Sequence, residues 1–265
     1  MPLNLVVCMK QVPNPDLQFQ VAPDGKDIRR DSLNYRTNGA DEFALEEAVR
    51  MKEKHGGKVT VITAGGKRTE QMLREAVAKG ADAALRVSYE DPAEFDIMKV
   101  ARILAAAIRT IPHDLVLSGV QSDDNANSVT PGLIAGILGH PYASVVTKVR
   151  LEEGLLLVNR ELEGGILAVV QMKLPAVLSV QFGINTPRYA PLPAIMKASR
   201  QAIQELGPNA LGVGSWDQIE GTRGFHVEGL SVPPAKGHAE MITGSVAEQA
   251  RKVAQLLREK GFYRG

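Results

Sequence analysis

Cysteine is nearly absent, since Cys8 is the single one among 265 residues. One thiol excludes an internal disulfide and any multi-cysteine metal site, and it fits a reducing compartment. Excess charge is also lacking: 31 Lys and Arg stand against 30 Asp and Glu, a formal net charge of +1. No large field is therefore available to hold nucleic acid or an anionic bilayer. Long apolar runs are missing too. The candidates near Ile166 to Val170 are strand-length, far from the roughly 20 residues that cross a membrane, so no direct membrane insertion is expected. The start, MPLNLVVCMK, lacks the apolar stretch of a signal peptide, and the expected location is cytoplasmic.

Several chemical signatures are absent as well. No Gly-x-Gly-x-x-Gly follows the first strand, no Walker lysine loop occurs, and no Gly-x-Ser-x-Gly elbow occurs. Dehydrogenase, P-loop and hydrolase readings lose their main support. His55, His113, His140, His226 and His238 are scattered with no ligand-like pairing, so no metal site is expected. Cys8, at the end of a buried strand, reads as a small apolar residue rather than a nucleophile.

What remains is an orderly alternation. Residues 3–9 form an apolar run ending in a polar, proline-bearing segment, which predicts a buried strand and its loop. Residues 41–54 carry Phe43, Leu45, Ala48, Val49 and Met51 at helical spacing, stopped by Gly56 and Gly57. Strands are expected at 59–63, 83–87 and 115–118, with helices at 69–78, 96–109 and 131–138 between and after them. Such alternation predicts an α/β fold, a doubly wound parallel sheet covered on both faces. From Tyr142 onward the pattern changes to closely spaced strands at 145–149, 155–160, 166–172 and 176–180. Glu152-Glu153-Gly154 and Glu163-Gly164-Gly165 act as turn signals, which predicts an antiparallel extension by hairpins. After Gln181 frequent prolines imply irregular chain until an amphipathic helix at 245–260. The expected division is a nucleotide-binding domain, 1–190, and a recognition loop with a C-terminal arm, 191–265.

In a doubly wound sheet, ligands bind beyond the carboxyl ends of the strands, where strand order reverses. That rule gathers Cys8, Ala64 and the polar loop Gly119, Val120, Gln121, Ser122, Asp123, Asp124, Asn125, Ala126, Asn127, Ser128, Val129 and Thr130. Thr130 is expected to cap the next helix and Pro131 to occupy its first turn, so its positive end favours a phosphate. Gly119 permits a close backbone approach, while Asp123 and Asp124 suit a ribose or base better than a phosphate. The plainer reading also stands: Thr130 and Ser128 only cap a helix and the aspartates are solvated turn residues.

Longer motifs carry a resemblance. Lys173-Leu-Pro-Ala-Val, followed by Asn185-Thr-Pro-Arg-Tyr-Ala-Pro-Leu-Pro-Ala-Ile-Met-Lys-Ala198, resembles the signature of electron transfer flavoprotein β subunits. Similar stretches are Val7-Cys-Met-Lys-Gln-Val12, Leu45-Glu-Glu-Ala-Val-Arg-Met-Lys52, Gly80-Ala-Asp82, Asp114-Leu-Val-Leu-Ser-Gly119 and Arg160-Glu-Leu-Glu-Gly-Gly165; beyond Gln204 the match is loose.

The resemblance implies an adenine nucleotide alpha hydrolase-like sheet and a heterodimer whose larger α subunit holds most of the FAD. It implies a structural AMP in this chain, carried onto Cys8, the turn Asn38, Gly39, Ala40 and Asp41, Ala64, and the loop from Gly119 to Thr130. Electrons would pass from acyl-CoA dehydrogenases of fatty acid β-oxidation, or similar flavoenzymes, to a flavoprotein-quinone oxidoreductase. No residue here would act as an enzyme's acid or base. Arg188, Tyr189, Pro191, Leu192, Pro193, Ile195, Met196 and Lys197 would form the partner-recognition loop, and Lys197 is methylated in some relatives. Pro15 stands where many members place an aromatic residue against the flavin. The loop also departs from the pattern of bifurcating relatives, which carry a second FAD there, so AMP is the expected ligand. The rival is a stand-alone ATP- or AMP-binding stress-type protein. A pyrophosphatase-type adenylating enzyme would need a Ser-Gly-Gly-x-Asp-Ser loop where Met9-Lys-Gln-Val-Pro13 stands.

Overall fold

Strand β1 (Leu3–Cys8) buries Leu3, Leu5 and Val7 on one face and Val6 and Cys8 on the other. A strand buried on both faces belongs in the middle of a covered sheet, and β1 lies there. The computed structural model describes residues 2–30, 33–89, 96–221, 227–234, 237 and 239–262. In chain order the remaining elements are β2 (Gln11–Pro13), β3 (Tyr35–Thr37), α1 (Gly39–His55), β4 (Gly57–Ala64), α2 (Glu70–Ala78), β5 (Ala83–Val87), α3 (Ile97–Arg109), β6 (Leu115–Gly119) and α4 (Thr130–Leu138). Then come β7 (Tyr142–Glu152), β8 (Leu155–Glu161), β9 (Leu167–Lys173), β10 (Ala176–Val180), α5 (Leu192–Ser199), β11 (Gln204–Leu206) and α6 (Val246–Glu259).

Nine strands form one sheet in the order β11-β5-β4-β1-β6-β10-β7-β8-β9. Neighbours are parallel from β11 through β7, while β7, β8 and β9 form antiparallel pairs. On one face Leu5 and Val7 pack in a cluster with Leu45 and Val49 of α1 and Leu73 of α2. On the other, Val6 and Cys8 share a cluster with Ile103 and Ala107 of α3 and Ile134 of α4. Each such leucine or isoleucine, taken fully from water, stabilises by about 1.5–3 kcal/mol.

Two expectations change here. β10 is not the last strand of the antiparallel extension: it returns between β6 and β7 and runs parallel to both. All five of its residues are buried, the pattern of a central strand. The chain after Gln181 is also more regular than its prolines imply. Pro191 stands at the N-cap of α5 and Pro193 in its first turn, where a missing N–H costs nothing. Arg74 of α2 then donates to the carbonyls of Ala198, Ser199 and Gln201 at 3.3, 3.0 and 2.7 Å, satisfying the end of that helix. Beyond it β11 adds a parallel edge strand on β5.

The chain divides into two compact units, 1–230 and 231–265. The second contains α6, opened by a capping box in which Ser245 and Glu248 bond reciprocally. Val246, Val253 and Leu257 of α6 are exposed.

Candidate functional site

The chain runs from β1 to β4 and β5 on one side, then places β6 on the other side of β1. Strand order therefore reverses between β1 and β6, and their carboxyl ends open the crevice that such sheets use for ligands. Asp41 closes the floor of that crevice. Its carboxylate accepts the amide of Lys10, after β1, at 2.7 Å and the amide of Gly119, the last residue of β6, at 2.8 Å. Asp41 is only 4 % exposed. Burial pushes its carboxyl up to about 6, opposed by those two amides. Gly119 also has a requirement within the fold: its missing side chain admits α1. A Cβ there would lie 2.5 Å from Ala40 Cβ and 2.7 Å from Asp41 Oδ1.

Asn38 joins the same three segments. The excursion after β2 returns as β3, antiparallel to it, and sets Asn38 beside β1, where its amide donates to Lys10 O at 2.9 Å. Although Asn38 is at the N-cap of α1, its side chain makes no cap bond. Instead its Nδ2 donates to Gln121 O at 2.9 Å and its Oδ1 accepts the amide of Asp123 at 3.0 Å. The aspartates are not free turn residues. Asp123 Oδ2 accepts from the Gly39 amide at 3.2 Å and from Arg36 at 3.3 Å, and Asp124 binds the Lys10 ammonium through both oxygens at 2.7 Å. Lys10 and Arg36 were missed by sequence reasoning; the signal for Lys10 was its place two residues past Cys8, at the same strand end.

The loop 119–130 is mostly exposed. Ala126 and Ser128 sit at φ 48° and 55°, a left-handed conformation that few non-glycine residues adopt and that recurs at binding loops. Thr130 does not cap α4. The N-cap is Val129, no side chain caps the helix, and Thr130 is its first residue with Pro131 beside it. The helix starts one residue earlier than expected, with Pro131 at a first-turn position whose N–H has no intrahelical partner to lose. The amides of this first turn thus keep their positive end toward the crevice without a side-chain acceptor. Ala64, half-buried, ends β4 two strands from β6. Cys8 is buried, and burial, with the charge of Asp41 second, pushes its thiol up to about 12. Such a thiol is inert, in keeping with an apolar role.

On the β10 side of the loop a cavity of about 400 Å³ is lined by Gln121, Ser128, Ser144, Ser179, Gln181 and Phe182 among others. A larger groove, about 580 Å³, is lined from α1 and β7 and carries Arg50, Lys54, Lys148 and Arg150. Among the described residues no group of three or more His, Cys, Asp and Glu could hold a metal, and no helix is long and apolar enough to cross a membrane. The histidines are less scattered than they look: His113 Nε2 meets His140 Nε2 at 3.1 Å. His226 and His238 lie outside the described residues.

A sequence profile described as electron transfer flavoprotein domain matches residues 27–211. The chain is 38 % identical over 267 residues to the electron transfer flavoprotein subunit beta of Methylophilus methylotrophus, covering 97 % of this chain and 98 % of that protein. It is 32 % identical to the Bacillus subtilis subunit beta, covering 97 % and 98 %. The human subunit beta is 37 % identical, covering 80 % of this chain and 84 % of its own length. The chain belongs to the electron transfer flavoprotein β-subunit family.

Within this family member the expected recognition segment occupies a definite position. Leu192 is not in a loop but opens α5, and it is 70 % exposed. Tyr189, Ile195 and Met196 are 96, 47 and 57 % exposed, and Pro191, Pro193 and Lys197 are exposed beside them. Arg188 is the exception. Its guanidinium is held by Glu46 at 2.8 and 3.0 Å and by Glu53 at 2.6 and 3.0 Å, both on α1. These carboxylates push the Arg188 pKa further up and fix the start of the exposed segment against the sheet domain.

Proposed function

We propose that this chain is the β subunit of a heterodimeric electron transfer flavoprotein, carrying electrons from acyl-CoA and related flavin dehydrogenases to a quinone oxidoreductase. In this reading it is an electron carrier without substrate chemistry of its own. Its fold holds a structural AMP in the crevice between β1 and β6, and its α partner holds most of the FAD. The observation that carries the reading is the crevice itself. Asp41 and Asn38 bind the ends of β1 and β6 and the loop 119–130 into one unit, which presents the uncapped start of α4. The donor set fits a nucleotide monophosphate: helix-start amides and the Ser128 hydroxyl for the phosphate, and the Asn38–Asp41 turn with Cys8 and Ala64 for the nucleoside. FAD, once bound in the complex, supplies the one- and two-electron chemistry. The AMP reading gains support from the two aspartates of the loop, both already engaged by the protein's own cations, which leaves the site close to neutral.

The test is reconstitution. Purified with its α partner, the protein should be yellow, bleach when an acyl-CoA dehydrogenase and its substrate are added, and recover colour with a quinone oxidoreductase. A colourless chain that forms no complex and turns over ATP would contradict the proposal.

A further inference from the structure

Lys10 is held very differently at its two ends. Its main chain is fixed by buried groups, since the amide donates to Asp41 at 2.7 Å and the carbonyl accepts from Asn38 at 2.9 Å. Its side chain reaches from the end of β1 to the loop after β6. There the ammonium lies 2.7 Å from both oxygens of Asp124 and 3.4 Å from Ser122 Oγ. The two side chains are 31 % and 24 % exposed, so water reaches the pair. A solvent-accessible ion pair contributes little to stability and exchanges partners readily. Asp123 is the opposite case: its carboxylate is shared between Arg36 and the Gly39 amide, and its own amide is held by Asn38.

We propose that the Lys10–Asp124 pair selects phosphate length at the nucleotide site. Lys10 exchanges Asp124 for the phosphate of a nucleoside monophosphate, and the carboxylate thereby released repels longer phosphate chains. The inference rests on the nucleotide reading above and names what that reading leaves open, the residues that decide which nucleotide fits. Charge carries the argument. A monophosphate dianion arriving at the uncapped start of α4 needs a cation, and the Lys10 ammonium already reaches the loop that leads into that helix, at Ser122 and Asp124. Asp124 then stands unpaired, exposed enough to be hydrated. A di- or triphosphate brings one or two further negative charges into the same loop, where the released Asp124 faces them and the single lysine is already engaged.

The experiment is calorimetric titration of the nucleotide-stripped heterodimer with adenosine, AMP, ADP and ATP. The wild type should bind AMP more tightly than ADP or ATP. Lys10→Met should weaken AMP by about 10- to 100-fold, the loss of one charge-assisted hydrogen bond, while adenosine binds as before and Lys10→Arg recovers most of the loss. Asp124→Asn should narrow the preference for AMP over ATP by about tenfold, the removal of one nearby like charge. Unchanged AMP affinity in Lys10→Met, equal loss of AMP and adenosine, or an unchanged AMP-to-ATP ratio in Asp124→Asn would each overturn the proposal. Wild-type protein that binds no adenine nucleotide would overturn the nucleotide reading itself. Wild-type binding with indifferent variants would overturn only the assignment of Lys10 and Asp124.

Discussion

Asp41 Oδ1 accepts the amide of Gly119 at 2.8 Å, and that same oxygen would lie 2.7 Å from a Cβ on Gly119. The hydrogen bond and the glycine are therefore one requirement, because the amide can approach this closely only when nothing projects beside it. Gly119→Ala should lower stability by about 1–3 kcal/mol, the range for overpacking a tight contact. The Ala40 backbone carbon, at 2.7 Å, offers no flexible atom to yield. A denaturant midpoint equal to that of the wild type would show that α1 and β6 can separate freely.

Asp41 also makes stability depend on pH. Its carboxyl titrates near 6 in the folded chain, against about 4 when unfolded. The folded state binds the proton more tightly, so this contribution is fully present below about pH 4 and is lost as pH rises through 6; at most it amounts to roughly 3 kcal/mol. Asp41→Asn removes the titration. Comparing unfolding free energies from pH 7 down to 4, the difference between the two proteins should shift in favour of the wild type. A constant difference would contradict the burial argument.

Leu192 tests the exposed face of α5. At 70 % exposure it has little native packing to lose, so Leu192→Ala should change stability by no more than about 0.5 kcal/mol. As a partner anchor it should cost on the order of 2 kcal/mol in dehydrogenase binding. Stopped-flow reduction of the flavoprotein complex and thermal melting of the same variant separate the two effects. Normal melting with normal electron transfer would remove α5 from the recognition surface.

For α6 the prediction concerns exchange. Its apolar Val246, Val253 and Leu257 recur on one side of the helix and are exposed. Backbone amides of α6 should exchange several-fold more slowly when the α partner is added. Equal exchange in the free chain and the complex would assign the helix no docking role.

Much of this architecture is readable in the amino-acid order. The two-faced burial of β1 follows from an apolar run that only Asn4 interrupts, and the helices α1 to α4 from apolar residues at intervals of three and four. The loop 119–130 was reachable from topology alone. What was not readable depends on distant partners. The pairing of Gln11 with Thr37 joins strands of three residues each, too short for a periodic signal. The apolar β10 reads equally well as an edge or a centre until its neighbours are known. Prolines 191 and 193 read as breakers because the same fixed φ that interrupts a helix also begins one. Within the site, the engagement of Asp124 by Lys10 spans 114 residues and leaves no local mark.

Nucleotide and flavin content test the account most directly. The purified heterodimer, denatured by heat and analysed by chromatography, should release one AMP and one FAD per pair of chains, with AMP retained by the β subunit when the α subunit is removed. Two FAD per heterodimer, or a β subunit carrying no nucleotide, would contradict it.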